Sequence, residues 1–492
     1  MAFEELPGRI ASTAPLIVVL GDAMLDRWWH GPSHRLSREA PVPVVEITER
    51  IEAPGGAANA AMNARALGAR VRMVGTVGAD AAGRAVIDRL GRAGVDTGGL
   101  LSTRRLGTVT KTRVVADDQV LVRADETSDR SSAGGGDELV RDVATALRRA
   151  LHGADVLLVS DYGPPMTVAV VASALETMTR PPWVVVDAHD LGAWKHLRPD
   201  VVVPNAAEAE LLLGRALGVG AERRRTVADA TPELLEATGA SCVIVTLDRD
   251  GAVVLRADDP PYRTLAHPVS ERFASGAGDT FAAALSSALA VGAELAVAAR
   301  LAQAAADVAL RRLGTSVCDA AELRAEVDST PAAVLGFDDL VAAVGRERRA
   351  GRRLVFTNGC FDVLHRGHTA YLRQARELGD RLIVAVNGDG SVGRLKGPGR
   401  PVNGEDDRAA VLAALESVDY VTIFDDDTPI RLLQAIRPEI YVKGGDYTPE
   451  MLDETPVVRA YGGEVRTVDY VADHSTSALL QRFRGLGGAT RG

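Results

Sequence analysis

Short runs rich in Val, Ile and Leu recur along the first two thirds of the chain, and stretches of helical period fill the gaps. Leu16–Leu20, Val71–Val77, Val156–Ser160, Val184–Asp187 and Val201–Val203 read as buried strands. Ala81–Ala93, Glu138–Leu151 and Glu294–Leu310 read as helices. Such alternation predicts a mostly parallel sheet covered on both faces. Three segments depart from it. Pro41–Ile47 alternates in polarity and carries two prolines, which suit an edge strand or flap. Val109–Val115 and Gln119–Arg123 read as strands joined at Asp117-Asp118. A small β flap on the main sheet accounts for all three. Val243–Val254 reads as a hairpin turning at Asp250-Gly251.

The pattern breaks at Asp328–Pro331, and Phe337–Gly351 reads as a charged connecting helix. A second α/β unit follows, with strands at Arg353–Phe356, Arg381–Val386, Tyr420–Phe424 and Glu439–Val442. The expected organisation is a first domain over residues 1–325, a linker over 326–350 and a smaller Rossmann-like domain over 351–492.

Composition narrows the function. A chain of 492 residues exceeds one ordinary core, so more than one domain is expected. A net charge of −10 argues against a general nucleic-acid binder. The three cysteines, Cys242, Cys318 and Cys360, are widely spaced and suggest neither a disulfide framework nor a zinc site, which fits a reducing cytoplasm. No signal peptide or membrane span is expected: Pro15–Leu20 is too short and ends in Gly-Asp.

The candidate chemistry centres on Gly276-Ala277-Gly278-Asp279, followed by the apolar run Thr280–Gly292. Two glycines where a loop becomes a helix let backbone N–H groups approach an anion. Asp279 is placed to take a proton from a hydroxyl while those groups hold phosphoryl oxygens. Asp22 and Asp26 follow the first strand, where ligands bind in open α/β sheets; a turn and a helix cap are the plainer use. Gly55, Gly56 and Asn59, before a small-residue helix, suit either a ligand hydroxyl or tight packing. Asn205 and Glu208 share a helix face, where they can hold hydrated magnesium near phosphates or simply cap the helix.

In the last third, Thr357-Asn358-Gly359-Cys360-Phe361-Asp362 leaves a strand, and His365-Arg-Gly-His368 opens a helix. The two histidines can bind zinc, cap the helix or hydrogen-bond nucleotide phosphates. No further zinc ligand is suitably spaced, and Gly367 permits close approach, which favours phosphate. Asn387 ends a strand, Lys396 and Arg400 lie in a basic glycine-rich stretch, and Lys443 follows a later strand. Ser475, Thr476 and Ser477 precede the last helix, where hydroxyls cap or contact phosphate.

The first set of residues resembles the ribokinase (PfkB) family of sugar kinases. Gly21-Asp22, Pro54-Gly-Gly-Ala-Ala-Asn59, Ser160-Asp-Tyr162, Pro204-Asn-x-x-Glu208, Thr246–Gly251 and Gly276-Ala-Gly-Asp279 occur in family order. The resemblance implies a flap over the sugar, ATP beside the Gly-Ala-Gly-Asp helix, Asp279 as base and Mg²⁺ with the ATP. Four positions depart from the family pattern: Phe273 replaces an Asp, Pro164-Pro165 stand near an expected Lys-Gly, Asp187-Ala-His189 replaces Asp-Pro-Lys, and Gln303 replaces an Asn. The His-x-Gly-His element resembles cytidylyltransferase-like nucleotidyltransferases.

The two units in this order resemble bifunctional heptose kinase–adenylyltransferases, notably at Gly21–Arg27, Pro41–Val45, Leu382–Asn387, Arg400–Asn403 and Val442–Tyr447. That resemblance implies ATP and heptose phosphates as partners and ADP-heptose as product. A separate phosphatase would act between the two steps. It also implies a homodimer, because flap strands of these kinases often pair between subunits. The open alternatives are another sugar or nucleotide, or a first domain kept as a scaffold.

Overall fold

The computed structural model describes residues 3–117, 119–126, 136–162, 166–264, 266, 276–312, 314–329, 333–397, 399–444 and 448–468. Asp118, Pro164, Pro165, Phe273 and Ser475, Thr476 and Ser477 therefore lie outside the described residues. The chain divides into two compact units, Met1–Asp328 and Ser329–Gly492.

The first unit is built on a twelve-stranded sheet. Its main run is Tyr262–Arg263, Ala252–Leu255, Cys242–Thr246, Val201–Val202, Trp183–Ala188, Val156–Asp161, Leu16–His30, Arg70–Gly78 and Asp96–Thr103. Pairing is parallel from Cys242–Thr246 to Asp96–Thr103 and antiparallel in the terminal hairpin. Alternate side chains of one strand feed opposite faces: Ile17 and Val19 enter one core, Leu16, Val18 and Leu20 the other. Burial on both faces explains why these strands are unbroken apolar runs.

The first strand is longer than its apolar run predicts. It continues through Gly21-Asp22 to His30. Leu16–Asp22 pairs with Arg70–Thr76 in the main sheet, then Ala23–His30 pairs with Glu49–Gly56 and Leu25–His30 with Thr110–Val115. One strand thus carries the chain from the core into the flap, and Gly21-Asp22 marks the crossing rather than a strand end. A Cβ on Gly21 would lie 1.9 Å from the Ser160 carbonyl oxygen, so only glycine permits this approach. Thr110–Ala116 and Gln119–Glu126 form the antiparallel flap hairpin. Pro41–Ile47 contributes only the two-residue strand Pro43–Val44, paired with Arg35–Leu36. The main flap strand here is Glu49–Gly56, which ends at the start of helix Ala57–Ala66. Helix Ala277–Ala290 is buried from Asp279 to Leu289, and its small residues let it pack between Ala57–Ala66 and Leu295–Ala309.

The second unit is a six-stranded, all-parallel sheet in the order Ala333–Leu335, Tyr420–Phe424, Arg381–Asn387, Leu354–Gly359, Ile440–Gly444 and Glu464–Val468. Residues 333–349, expected as a connector, belong to this unit. Ala333–Leu335 is an edge strand, and helix Phe337–Arg349 buries Leu340, Ala343 and Val344 in its core. A three-residue strand is too short to show a period in sequence.

Candidate functional sites in the two units

In the first unit the site forms where the long strand, the flap and the start of helix Ala277–Ala290 meet. Gly276 precedes that helix with φ of 87°, a left-handed conformation suited to glycine. Ala277, Gly278 and Asp279 form its first turn, where N–H groups have no intrahelical partner. Asp279 is buried, and its Oδ2 accepts from Asn59 Nδ2 at 3.0 Å.

The orientation of that amide is dictated. Asn63 Nδ2 donates to Asn59 Oδ1 at 3.1 Å, and the Cys318 N–H donates to Asn63 Oδ1 at 3.0 Å. Asn59 must therefore turn its NH₂ toward Asp279. Read from sequence as a sugar contact, it here holds the carboxylate.

The Tyr162 hydroxyl lies 2.8 Å from Asp279 Oδ1 and 2.8 Å from Asp187 Oδ2. Burial, against the pull of Asn59 and Tyr162, pushes the Asp279 carboxyl up to about 6. Burial and then the Asp279 charge push Asp187 up to about 7. Tyr162 is held well above its ordinary value by burial and by the two carboxylates, so it stays a phenol.

The mouth of the site is lined by Met24, Asp26, Gly56, Lys111, Arg113 and Gly278, with Tyr162 and Asp279. Asp26 is buried, and it accepts from Arg113 at 3.1 Å and from the Thr315 hydroxyl at 2.7 Å. A Cβ on Gly55 would lie 2.6 Å from Asp26 Oδ2, and Gly56 sits at φ of 58°. Asp22 is buried at the strand crossing. Lys111 and Arg113 were missed from the sequence. Their spacing by two in a strand puts both on one face, which is the signal that could have found them.

Asn205 and Glu208 form a reciprocal capping box: Glu208 N–H donates to Asn205 Oδ1 at 3.0 Å and Asn205 N–H to Glu208 Oε2 at 2.8 Å. Glu208 Oε1 lies 2.6 Å from His189 Nδ1, and that bond raises the imidazole above its ordinary value. The capping use of this pair is thus realised.

A larger cleft of about 1020 Å³ runs along Asp96–Thr103 and helix Gly136–Ala150, away from these groups. Two of its arginines are internally committed: Arg72 bonds the Ala150 and His152 carbonyls, and Arg105 pairs with Glu138.

In the second unit the site lies at the carboxyl ends of two adjacent strands. Phe356 pairs with Tyr441, so Asn358 and Lys443, each two residues on, fall side by side. Asn358 Oδ1 accepts from Lys443 Nζ and from the Tyr441 hydroxyl, each at 2.9 Å. Burial lowers the Lys443 ammonium from its ordinary value.

His365 is the N-cap of helix Arg366–Arg376, its Nδ1 accepting from the Gly367 N–H at 3.2 Å. That bond leaves Nε2 as the protonated nitrogen of a neutral ring. The His368 ring lies 4.0 Å from it, and burial, then His365, push His368 down to about 4. His368 is therefore neutral at physiological pH. The Phe361 ring packs 5.4 Å from His368, and Gly359 leaves room for that ring.

The remaining expected residues divide. Thr357 is buried and bonded to the Tyr371 hydroxyl. Asn387 turns inward to Ser391 at 3.1 Å. Arg400 is ion-paired with Asp362. Lys396 ends helix Asp389–Lys396 and is exposed, on a helix rather than in a loop. Arg408, unforeseen, is buried; it donates to the Cys360, Asn387 and Asn403 carbonyls and pairs with Asp389, tying two strand ends to the loop after helix Asp389–Lys396.

Comparison with known proteins adds the following. Residues 14–322 match the pfkB family carbohydrate kinases, and residues 356–479 match the cytidylyltransferase-like family. The chain is 39% identical over 472 residues to the bifunctional protein HldE of Hahella chejuensis, covering 95% of this chain and 96% of that protein. It is 41% identical over 483 residues to the bifunctional protein HldE of Pseudomonas aeruginosa (strain UCBPP-PA14), covering 96% and 98%. The crystal structure of phosphofructokinase-2 from Escherichia coli in complex with potassium superposes with a TM-score of 0.52 at 20% identity. It covers 64% of this chain and 98% of that one, and shows the fold alone. No helix among the described residues is long and apolar enough to cross a membrane.

Proposed function

The chain belongs to the HldE family of bifunctional proteins, and from that premise we propose that it carries out two steps of ADP-heptose formation. Its first unit phosphorylates D-glycero-D-manno-heptose 7-phosphate at C1 with ATP. Its second transfers AMP from ATP to heptose 1-phosphate and releases pyrophosphate. The observation that carries the reading is the pairing of a buried carboxylate, Asp279, with the cations Lys111 and Arg113 in one cleft. A base for the hydroxyl and positive charge for an anionic sugar are what a sugar-phosphate kinase requires.

In the first unit the C1 hydroxyl gives its proton to Asp279 as its oxygen forms the new bond to the γ-phosphorus, and the bond to ADP breaks. The unpaired N–H groups at the start of helix Ala277–Ala290 stabilise the transferring phosphoryl group. In the second unit the sugar phosphate is already anionic and needs no base. His365, through Nε2, and neutral His368 donate to the nucleotide's phosphates, while Lys443, held by Asn358, and Lys396 supply charge.

Mg²⁺ is proposed as the cofactor, arriving with ATP. Among the described residues no group of three or more His, Cys, Asp or Glu is placed to hold a metal. Glu208, engaged by Asn205 and His189, would meet the ion through water, a donor set that suits a cation bound chiefly by phosphates. When bound, the ion neutralises triphosphate charge. A cytoplasmic homodimer is proposed, with three free cysteines fitting a reducing compartment.

The test is mass detection of products from the whole protein with Mg-ATP, first with heptose 7-phosphate and then with heptose 1-phosphate. A bisphosphate and ADP-heptose are expected in turn. Absence of both would overturn the reading.

A further inference from the structure

We propose that Asp187 is a carboxylic acid in the active kinase site, donating to the Tyr162 oxygen while Tyr162 donates its one proton to Asp279. Tyr162 and Asp187 are then positioning residues that keep the catalytic base ionised. The proposal rests on the kinase reading above.

One phenolic oxygen lies 2.8 Å from an oxygen of each of two buried carboxyls. A phenol brings one hydrogen, and ionised carboxylates bring none. If both acids were ionised, one of the two contacts would set lone pairs against a buried negative charge, with nothing to offset its desolvation. A second hydrogen must therefore sit within the trio.

Its place follows from the other partners. Asp279 also accepts from Asn59, whose amide is oriented by Asn63, so Asp279 has two donors when ionised. Among the described residues the Asp187 side chain has a hydrogen-bond contact with Tyr162 alone. A proton on Asp279 would waste the Asn59 donor; a proton on Asp187 satisfies every contact. Strand register brings the pair together, since Asp187 pairs with Ser160, two residues before Tyr162.

The surrounding charges support this placement. Asp279 is faced by Asp26 and Lys111, of opposite sign. Asp187 is faced by Asp279, Glu208 and His189, and the last two are bonded to each other, leaving Asp279 as its uncompensated neighbour. The edge of the Tyr162 ring meets His189, with centroids 5.1 Å apart. The trio thus carries a single negative charge, located on the acid that must act as base. During transfer the hydroxyl proton passes to Asp279, and the proton on Asp187 is not consumed. The hydroxyl proton then leaves Asp279 for solvent, so each turnover balances.

The experiment follows the pH profile of kinase kcat/KM in wild type, Asp187→Asn and Tyr162→Phe, together with the infrared carbonyl band of a buried carboxylic acid. In wild type the alkaline limb reports loss of the Asp187 proton. Asparagine keeps an N–H donor toward Tyr162 and cannot ionise. Asp187→Asn should therefore lose the alkaline limb and the infrared band, with kcat reduced only a few-fold. Tyr162→Phe removes a donor from Asp279 and should move the acid limb upward, with kcat lower by on the order of tenfold. An alkaline limb or band that survives in Asp187→Asn overturns the proposal. The infrared band needs no substrate, so protonation is decided even if the protein fails to phosphorylate the heptose. Hydrogen-exchange protection of strands Val156–Asp161 and Trp183–Ala188 reports an intact first unit in each preparation, which separates loss of the limb from misfolding.

Discussion

The two sites handle charge in opposite ways. In the first unit, acids are buried and crowded until they resist ionisation: Asp187 and Asp279 meet at one hydroxyl oxygen and both rise. In the second, bases are buried until they resist protonation: His368 falls to about 4 and Lys443 is lowered. The contrast follows from the nucleophiles. A sugar hydroxyl must lose a proton as it attacks, so its site needs a base poised near neutrality. A sugar phosphate arrives ionised, so its site needs only donors and charge at fixed places. A polar group is buried in each, but only the first unit uses a proton acceptor.

The sharpest way to break this comparison is Asp279→Asn. If the base belongs to the first unit alone, bisphosphate formation should fall by about 10²–10⁴-fold. ADP-heptose formation from heptose 1-phosphate should not change. Product masses from both reactions check it, and a shared loss would refute separate chemistry.

Next in size is His368→Ala. A neutral donor aimed at a developing oxyanion is worth about 10²–10³-fold. The transferase should lose that much, with kcat falling more than KM rises, while the kinase is unaffected. His368→Gln, which keeps a donor without a titrating ring, should restore part of the rate. Full rescue by low pH instead would mean that the imidazolium is the active form.

A third contrast is in pH. The kinase should fall off as pH drops through about 6, because Asp279 takes up a proton and ceases to be a base. The transferase should stay level across that window, because His368 is already neutral until about pH 4. Parallel rate profiles on one preparation check it. Coincident limbs would point to a shared event such as ATP protonation.

How much of this was legible in sequence depended on how local the signal is. Gly276–Asp279 and His365–His368 each lie within one turn, so both stood out as candidates in the sequence, while their roles came from the family resemblance and not from spacing. The α/β layering was readable because strands buried on both faces are unbroken apolar runs. The length of the first strand was not, since Gly21-Asp22 looks like a strand end and its reason lies in the approach of Ser160. Tyr162 was noticed only as part of a motif. Its partners are 25 and 117 positions away, and sheet register, not spacing, joins them. In sequence Asn205-x-x-Glu208 suits either hydrated magnesium near phosphates or a simple cap; hydrogen bonds show the cap. Asn59 was readable as polar and close to the site, but which way its amide faces depends on Asn63 and Cys318.

The smallest expected effect concerns stability and tests whether the crowding of acids has a cost. Both carboxyls rise above the ordinary carboxylate value of 3.8 on folding. The folded unit therefore binds more protons than the unfolded chain between about pH 4 and pH 7. Stability from this source is fully present below the unfolded value and is lost as pH rises through the folded values. At pH 8 wild type bears the whole penalty, whereas Asp187→Asn, with nothing to ionise, bears less. The variant should gain on the order of 2 kcal/mol at that pH, about half of what a rise from 3.8 to about 7 is worth at about 1.4 kcal/mol per pKa unit, because the buried amide has a desolvation cost of its own. The gain should shrink toward pH 5, where Asp187 is protonated anyway. Hydrogen exchange of strands Val156–Asp161 and Trp183–Ala188 at both pH values reads this unit without interference from the other. Equal protection of wild type and variant at pH 8 would show that Asp187 is solvated well enough to ionise freely, and the difference between the two sites would narrow to the histidines alone.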